Sequence, residues 1–247
     1  MAEGEPATPS AGKASSRPAP QEPKPLDRGV AGGSARREYE RRRDRREANA
    51  KAKLGRLSGT YLALSNEPQS TTAWAQGSKG EKLLGESLER LHDETRVIVL
   101  HDRLIPGTKA NIDHIAITRA GGIWAIDAKN YAGKVQKVDK GGWLSTDLRL
   151  YVGTRDVTKL VTSTEKQTSA ISKALGQPVI EEFNVVVRAA LCFVDAEWSF
   201  FAKPFALDGV WIGWGKALGE RLVAPGELEP EHLMALARRV AGALPPA

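Results

Sequence analysis

The chain has 247 residues, 41% of them hydrophobic and six of them Trp, which is enough to bury one sizeable core and too apolar for a disordered protein. A formal net charge of +6 sits in residues 36–56, where ten Lys and Arg stand against four Asp and Glu, while the segments on either side are balanced. No apolar run reaches the length of a membrane span, no hydrophobic signal segment opens the chain, and a single cysteine, Cys192, precludes an internal disulfide, so a cytoplasmic protein in a reducing compartment is expected.

Residues 1–34 are rich in Pro, Ala, Gly, Ser and Glu and nearly free of large apolar side chains, which predicts a disordered tail. Residues 35–57 are dominated by Arg, Glu, Lys and Ala, with Glu38/Arg42 and Glu47/Lys51 spaced for i,i+4 pairing; a basic helical arm without an apolar stripe follows. Such an arm stays solvated or orders on a partner. Nucleic-acid phosphates would be met by Arg36, Arg37, Arg41, Arg42, Arg43, Arg45 and Arg46, and an acidic membrane surface is the lesser alternative. Residues 58–72 read as a connector, leaving 73–247 as the folded domain.

Within that domain, Leu84, Leu88 and Leu91 recur at helical spacing over residues 78–92 and put Glu81 on the same inward stripe. A first-turn acid favoured by the helix dipole is the plain explanation of Glu81; a site residue is the other. Residues 96–100 predict a strand and 101–109 a loop around Pro106-Gly107. Ile112 to Thr118 and Ile123 to Ala128 flank an Arg-Ala-Gly-Gly turn signal and predict a hairpin. Residues 133–138 and 143–152 look like further strands of a meander. A helix over 162–175 places Leu160, Thr164, Gln167, Ile171 and Leu175 along one face, with Gln167 aimed at the sheet. Val185 to Val194 suits a central strand, 209–212 a last strand, and 229–244 a closing helix with Pro230 in its first turn. Cys192, inside an apolar run, reads as a buried structural thiol.

Folding the hairpin at about residue 120 brings Asp113 roughly opposite Asp127, and Lys129 joins them by the two-residue strand period. Charges inside a sheet covered on both faces are costly to keep, and a shared divalent cation is one reason to keep them. The alternative is an edge-strand ion pair of Asp127 with Lys129, with Asp113 capping a turn. His114 points away from Asp113 and reads as a packed or hydrogen-bonded histidine. One cysteine excludes zinc sites of the usual kinds, and no glycine loop followed by lysine suggests nucleotide hydrolysis.

Asp113 followed by Asp127-Ala128-Lys129 resembles the PD-(D/E)XK nucleases of the restriction-endonuclease-like superfamily. The order of Gly77-Ser78-Lys79-Gly80-Glu81, Ile112-Asp113-His114, Gly121-Gly122-Ile123, Asp127-Ala128-Lys129-Asn130, Gly133-Lys134-Val135 and Gly142-Trp143 narrows the resemblance to the NERD (nuclease-related domain) family, over about residues 74 to 215. The superfamily's proline before its first Asp is absent. The resemblance implies an α/β fold, a restriction-endonuclease-like mixed β-sheet flanked by helices, and a Mg²⁺- or Mn²⁺-dependent nuclease acting on DNA more than RNA. It implies Asp113 and Asp127 as metal ligands, Glu81 as an outer or water-bridged ligand, Lys129 as water-orienting base or charge stabiliser, and Gln167 as an orienting residue. A non-catalytic nucleic-acid-binding or scaffold module is the alternative. Oligomeric state is open, and a dimer is compatible with one site per chain.

Overall fold

Residues 25–55 and 69–247 are described by a computed structural model whose organising feature is a six-stranded mixed sheet. In chain order the elements are α1 (Gly33–Leu54), α2 (Gln69–Glu89), β1 (Val97–Leu104), β2 (Asn111–Thr118), β3 (Gly122–Lys129), β4 (Val135–Asp139), β5 (Leu148–Val152), β6 (Arg155–Asp156), α3 (Thr158–Leu175), α4 (Gln177–Glu182), β7 (Val186–Phe193), β8 (Phe205–Leu207), β9 (Val210–Gly213), α5 (Gly215–Leu222) and α6 (Pro230–Ala243). The sheet order is β1-β2-β3-β7-β9-β8. Strands β3, β7 and β9 run parallel, and the other neighbours pair antiparallel.

Helices cover both faces, which is why the central strands read as nearly unbroken apolar runs. On one face Ile98, Leu100, Ile115, Ile117 and Ile123 pack with Ile171 of α3 and with Leu233, Leu236 and Val240 of α6. On the other, Val97, Val99, Ala116 and Ile126 pack with Leu84 and Leu88 of α2 and Leu218 and Leu222 of α5. Cys192 on β7 is fully buried in this second layer, and burial pushes its thiol up to about 12. Strands β4, β5 and β6 form a separate three-stranded sheet. The expected meander fails because β3 already has β2 on one edge and β7 on the other, so β4 has no place beside it.

Strand β1 continues through His101, Asp102 and Arg103, whose polarity in the sequence suggests a loop. Each has a partner remote in sequence. His101 Nε2 meets Glu89 Oε1 at 2.7 Å, and its Nδ1 meets Nδ1 of His114, its cross-strand neighbour, at 2.8 Å. Burial pushes both imidazoles down, so the pair is neutral and His114 is a packed core residue. Arg103 donates to the carbonyls of Leu244 (2.6 Å) and Ala241 (2.8 Å) at the end of α6, where a cation suits the helix dipole.

The expected tail boundary at residue 34 needs correcting. Residues 1–24 lie outside the described residues, but 25–34 are attached to the domain. The Arg28 carbonyl accepts from His101 N at 2.6 Å, the Arg28 guanidinium binds Glu89 at 2.8 Å, and Leu26 packs on the core. The arm is also docked: α1 lies on α2 with Ala35 and Ala50 buried. It lacks an apolar stripe because small residues make this contact; a Cβ on Gly32 would lie 3.3 Å from the Ser78 carbonyl. Of the expected connector, residues 58–68 lie outside the described residues, and from Gln69 the chain is helical.

Candidate active site

The hairpin register runs from Ile117 opposite Ile123 to His114 opposite Ile126, and the next step sets Asp113 against Asp127. At the same level β1 is distorted. Its pairing with β2 passes from His101↔His114 to Arg103↔Ile112, and Asp102 between them takes a left-handed backbone (φ 50). The two-residue alternation breaks there. His101 sits on the α2 side, yet Arg103 reaches α6 on the other, and Ile112 joins the same α6 layer.

Asp127 is buried on β3. Its Oδ1 accepts from Lys129 Nζ at 2.5 Å, and its Oδ2 lies 3.1 Å from the Thr164 hydroxyl on α3. Asp113 is half-buried, and its Oδ2 stands 3.4 Å from the Ala128 amide. Burial, then the facing Asp127, then Glu81 push its carboxyl well above the ordinary carboxylate range, and Lys129 only partly offsets them. Burial alone would lower the Lys129 ammonium, but Asp127 and Asp113 outweigh it and hold the amine charged.

Glu81 comes from α2, which approaches the end of β3 closely at Gly80, where a Cβ would sit 2.8 Å from the Asn130 Cβ. That glycine is what lets the helix deliver Glu81 to the strand ends. Burial pushes Glu81 up to about 7; Lys129 opposes this, and Asp102 and Asp127 add to it.

Two clefts meet at Glu81 and Lys129. One, of about 620 Å³, runs under α1 past Ser34, Glu38, Lys109, Asn111 and Asp113. The other, of about 800 Å³, runs past Gln76, Tyr131, Val152 and Arg155. A chain laid along both would cross Glu81 and Lys129 at its middle, with Asp113 on the wall of the first cleft and the buried Asp127 behind Lys129.

Gln167 is half-buried on α3, and its Oε1 is buried without a hydrogen-bond partner among the described residues. The helix residue that touches Asp127 is Thr164, one turn earlier on the face that the sequence periodicity predicts; a hydroxyl on that face is as able to serve the strand as the amide. Asp102 is a second functional residue that sequence pattern does not single out. Its carboxylate accepts from Ser34 N (2.7 Å), Arg37 Nη2 (3.2 Å) and Asn111 Nδ2 (2.8 Å), which caps α1 and fixes it over the cleft.

The seven arm arginines differ in situation. Arg37 is turned inward to Asp102 and the Ala247 carbonyl, Arg41 and Arg42 both bind Glu38, and Arg36 and Arg43 reach Glu40 and Glu47 at 3.9 and 3.6 Å. Arg45 is exposed and Arg46 half-buried.

Among the described residues no group of three His, Cys, Asp or Glu converges to enclose a metal ion. The two opposed carboxylates are nevertheless a donor set that fits a hard divalent ion, which needs only one or two carboxylates when water and phosphate complete its shell.

Residues 76–194 match the family model described as Nuclease-related domain. The match spans α2 to β7 and so includes Glu81, Asp113, Asp127, Lys129 and Thr164. No curated protein and no solved structure matches the chain.

Proposed function

From the match of residues 76–194 to the nuclease-related domain family, we propose that the chain is a divalent-metal-dependent nuclease hydrolysing phosphodiester bonds, in DNA in preference to RNA. The observation that carries this reading is that Lys129, bonded to the buried Asp127, lines both clefts, with Asp113 on the wall of one. Asp113 and Asp127 would hold Mg²⁺ or Mn²⁺, with Glu81 beyond them through water. When bound, such an ion supplies a Lewis acid for the phosphoryl oxygen and lowers the pKa of the attacking water.

The side chains do the rest. Lys129, held charged, acts as a donor: it orients the water and stabilises the negative charge that grows on the phosphorus oxygens. Thr164 fixes the Asp127 carboxylate from the helix side, so that its other oxygen is left to Lys129. Gln167, with an unpartnered carbonyl oxygen, is a further orienting residue for water or sugar.

Purified protein should nick or linearise plasmid DNA with Mg²⁺ or Mn²⁺ and stop in EDTA. Cleavage that persists in EDTA, or that survives both Asp127→Ala and Lys129→Ala, would remove the reading; binding without cleavage would leave a nucleic-acid-binding module.

The arm adds sequence-independent affinity. Arg41, Arg43 and Arg45 are exposed, and Arg37 is the residue that anchors α1. Changing those three exposed arginines to Gln should therefore keep the helix docked while weakening DNA binding. The slope of log affinity against log salt should fall by up to about 0.9 for each phosphate that the arm no longer neutralises. An unchanged slope would leave the arm without that role.

A further inference from the structure

Two turns carry large apolar residues at the positions where turns ordinarily place Gly, Asn, Asp or Pro. In the β4–β5 hairpin, Ser145 N donates to the Gly142 carbonyl at 3.2 Å, which makes Trp143 and Leu144 the central residues; they are fully exposed, at 101% and 99%. Between β7 and β8, Ala202 N donates to the Ser199 carbonyl at 2.8 Å around Phe200 and Phe201, exposed at 94% and 88%.

The hairpin tip is built to hold its shape. Asp139 Oδ1 accepts from the amides of Gly141 (2.8 Å) and Asp147 (2.9 Å), and a Cβ on Gly141 would lie 1.9 Å from the Ser145 carbonyl. The two turns also belong to one unit. Lys134 and Glu197 form a parallel bridge, secured by Val135 N to the Glu197 carbonyl (3.0 Å) and Glu197 N to the Gly133 carbonyl (2.9 Å). Past that bridge one segment runs on through β4 to Trp143-Leu144, and the other turns within a few residues at Phe200-Phe201. Lys134, Lys137 and Lys140 are interleaved along the first. The returning strands of this small sheet carry Val152 and Arg155 into the cleft at Lys129.

We propose that Trp143 and Leu144 form one platform, and Phe200 and Phe201 a second, on which unpaired bases of the substrate stack where it runs on beyond the cleft at Lys129. The inference rests on the nuclease reading and adds a substrate class to it: nucleic acid with a single-stranded or frayed segment some nucleotides away from the scissile phosphate. Aromatic faces take any base, so a rigid aromatic tip gives sequence-tolerant grip, and the lysines beside it suit phosphates. Leu144 next to Trp143 is the shape of a wedge that enters between bases once they unstack. A lipid surface would also accept an apolar tip with lysines, but the unit's continuity with the cleft at Lys129 favours a chain that reaches the reacting group.

The test uses the full chain in EDTA with a fluorescein-labelled single strand, the matching blunt duplex, and phosphatidylcholine vesicles containing phosphatidylglycerol. Trp143→Ala should weaken single-strand binding by roughly ten- to a hundredfold, as removal of one stacking partner does, and the duplex by less. Trp143→Phe should recover most of that affinity and Trp143→Leu little of it, and the Phe200→Ala, Phe201→Ala double variant should resemble Trp143→Ala. These side chains touch solvent, so unchanged melting temperatures serve as the folding control. Unchanged single-strand affinity in Trp143→Ala, with Mg²⁺-dependent cleavage still present in the parent, overturns the platform and leaves the nuclease reading in place. Vesicle binding that Trp143→Ala abolishes and Trp143→Leu keeps, with no effect on oligonucleotides, overturns it in favour of a lipid surface. A parent that neither binds nor cuts any of the nucleic acids removes both readings together.

Discussion

Asp113→Asn should give a protein that is more stable than the parent in EDTA and inactive in Mg²⁺. In the folded, metal-free protein the Asp113 carboxyl is pushed well above its ordinary 3.8 and Glu81 is pushed from 4.5 to about 7, so the folded state keeps protons that the unfolded chain releases. Well below the ordinary values of 3.8 and 4.5 both states are protonated and these groups contribute nothing to the pH dependence. As pH rises through the range between the unfolded and folded values, the unfolded chain ionises freely while the folded one resists, and stability falls. For Glu81 that fall is complete above about 7, and Asp113 acts in the same direction. Asparagine cannot ionise. Urea unfolding in EDTA should therefore show a gap in favour of Asp113→Asn that is absent at acid pH and widens as the pH rises. Adding Mg²⁺ should raise the stability of the parent, release protons on binding, and leave the variant nearly unmoved. A variant less stable than the parent at every pH would mean that Asp113 is held by favourable partners rather than by opposed acids.

Lys129→Ala should lower cleavage by about a hundred- to a thousandfold, the range seen when one preorganised donor to a developing oxyanion is removed. The drop should appear in single-turnover rate more than in substrate affinity, because the amine is aimed at the reacting group. Lys129→Arg should not restore it. A guanidinium spreads its charge over a rigid fork and cannot reproduce the compact approach of 2.5 Å that Nζ makes to Asp127. Lys129→Ala also leaves the buried Asp127 facing Asp113 and Glu81 with no cation. It should cost about 2 kcal/mol of stability in EDTA, less than the roughly 3–5 kcal/mol of a fully buried broken pair because the Lys129 side chain is partly exposed. Acid pH or a divalent ion should return part of that stability. Stability indifferent to both would show that the ammonium does not neutralise the acids.

The central hairpin is legible because its information is local. A Gly-Gly turn between two β-branched runs sets the register, and the register alone opposes Asp113 to Asp127. The far end of β1 is not, because His101, Asp102 and Arg103 are satisfied by Glu89, Ser34 and Leu244, which are distant in sequence or on other elements; without them three polar residues in a row describe a loop. The docking of α1 is hidden for a related reason. Ala and Gly carry little hydrophobic signal, yet their small size is what permits two helices to touch, and the cap that fixes the contact comes from Asp102 on a strand. Helix α5 gives a weak signal because Gly215 and Gly219 lower its propensity; Gly219 lies where a Cβ would come within 3.0 Å of the Leu91 side chain. Thr164 shares a broad helical face with Gln167, and period alone does not say which of two residues one turn apart reaches the strand.

The position of Cys192 on β7 has a practical use. A thiol fully covered by packed side chains, and reluctant to ionise, reacts slowly with maleimides and iodoacetamides. A second cysteine introduced on the surface, such as Thr146→Cys or Asn49→Cys, would then take a fluorophore or spin label almost alone. Distances from hairpin tip and arm to a labelled oligonucleotide become measurable with Trp143 and the arm arginines left in place.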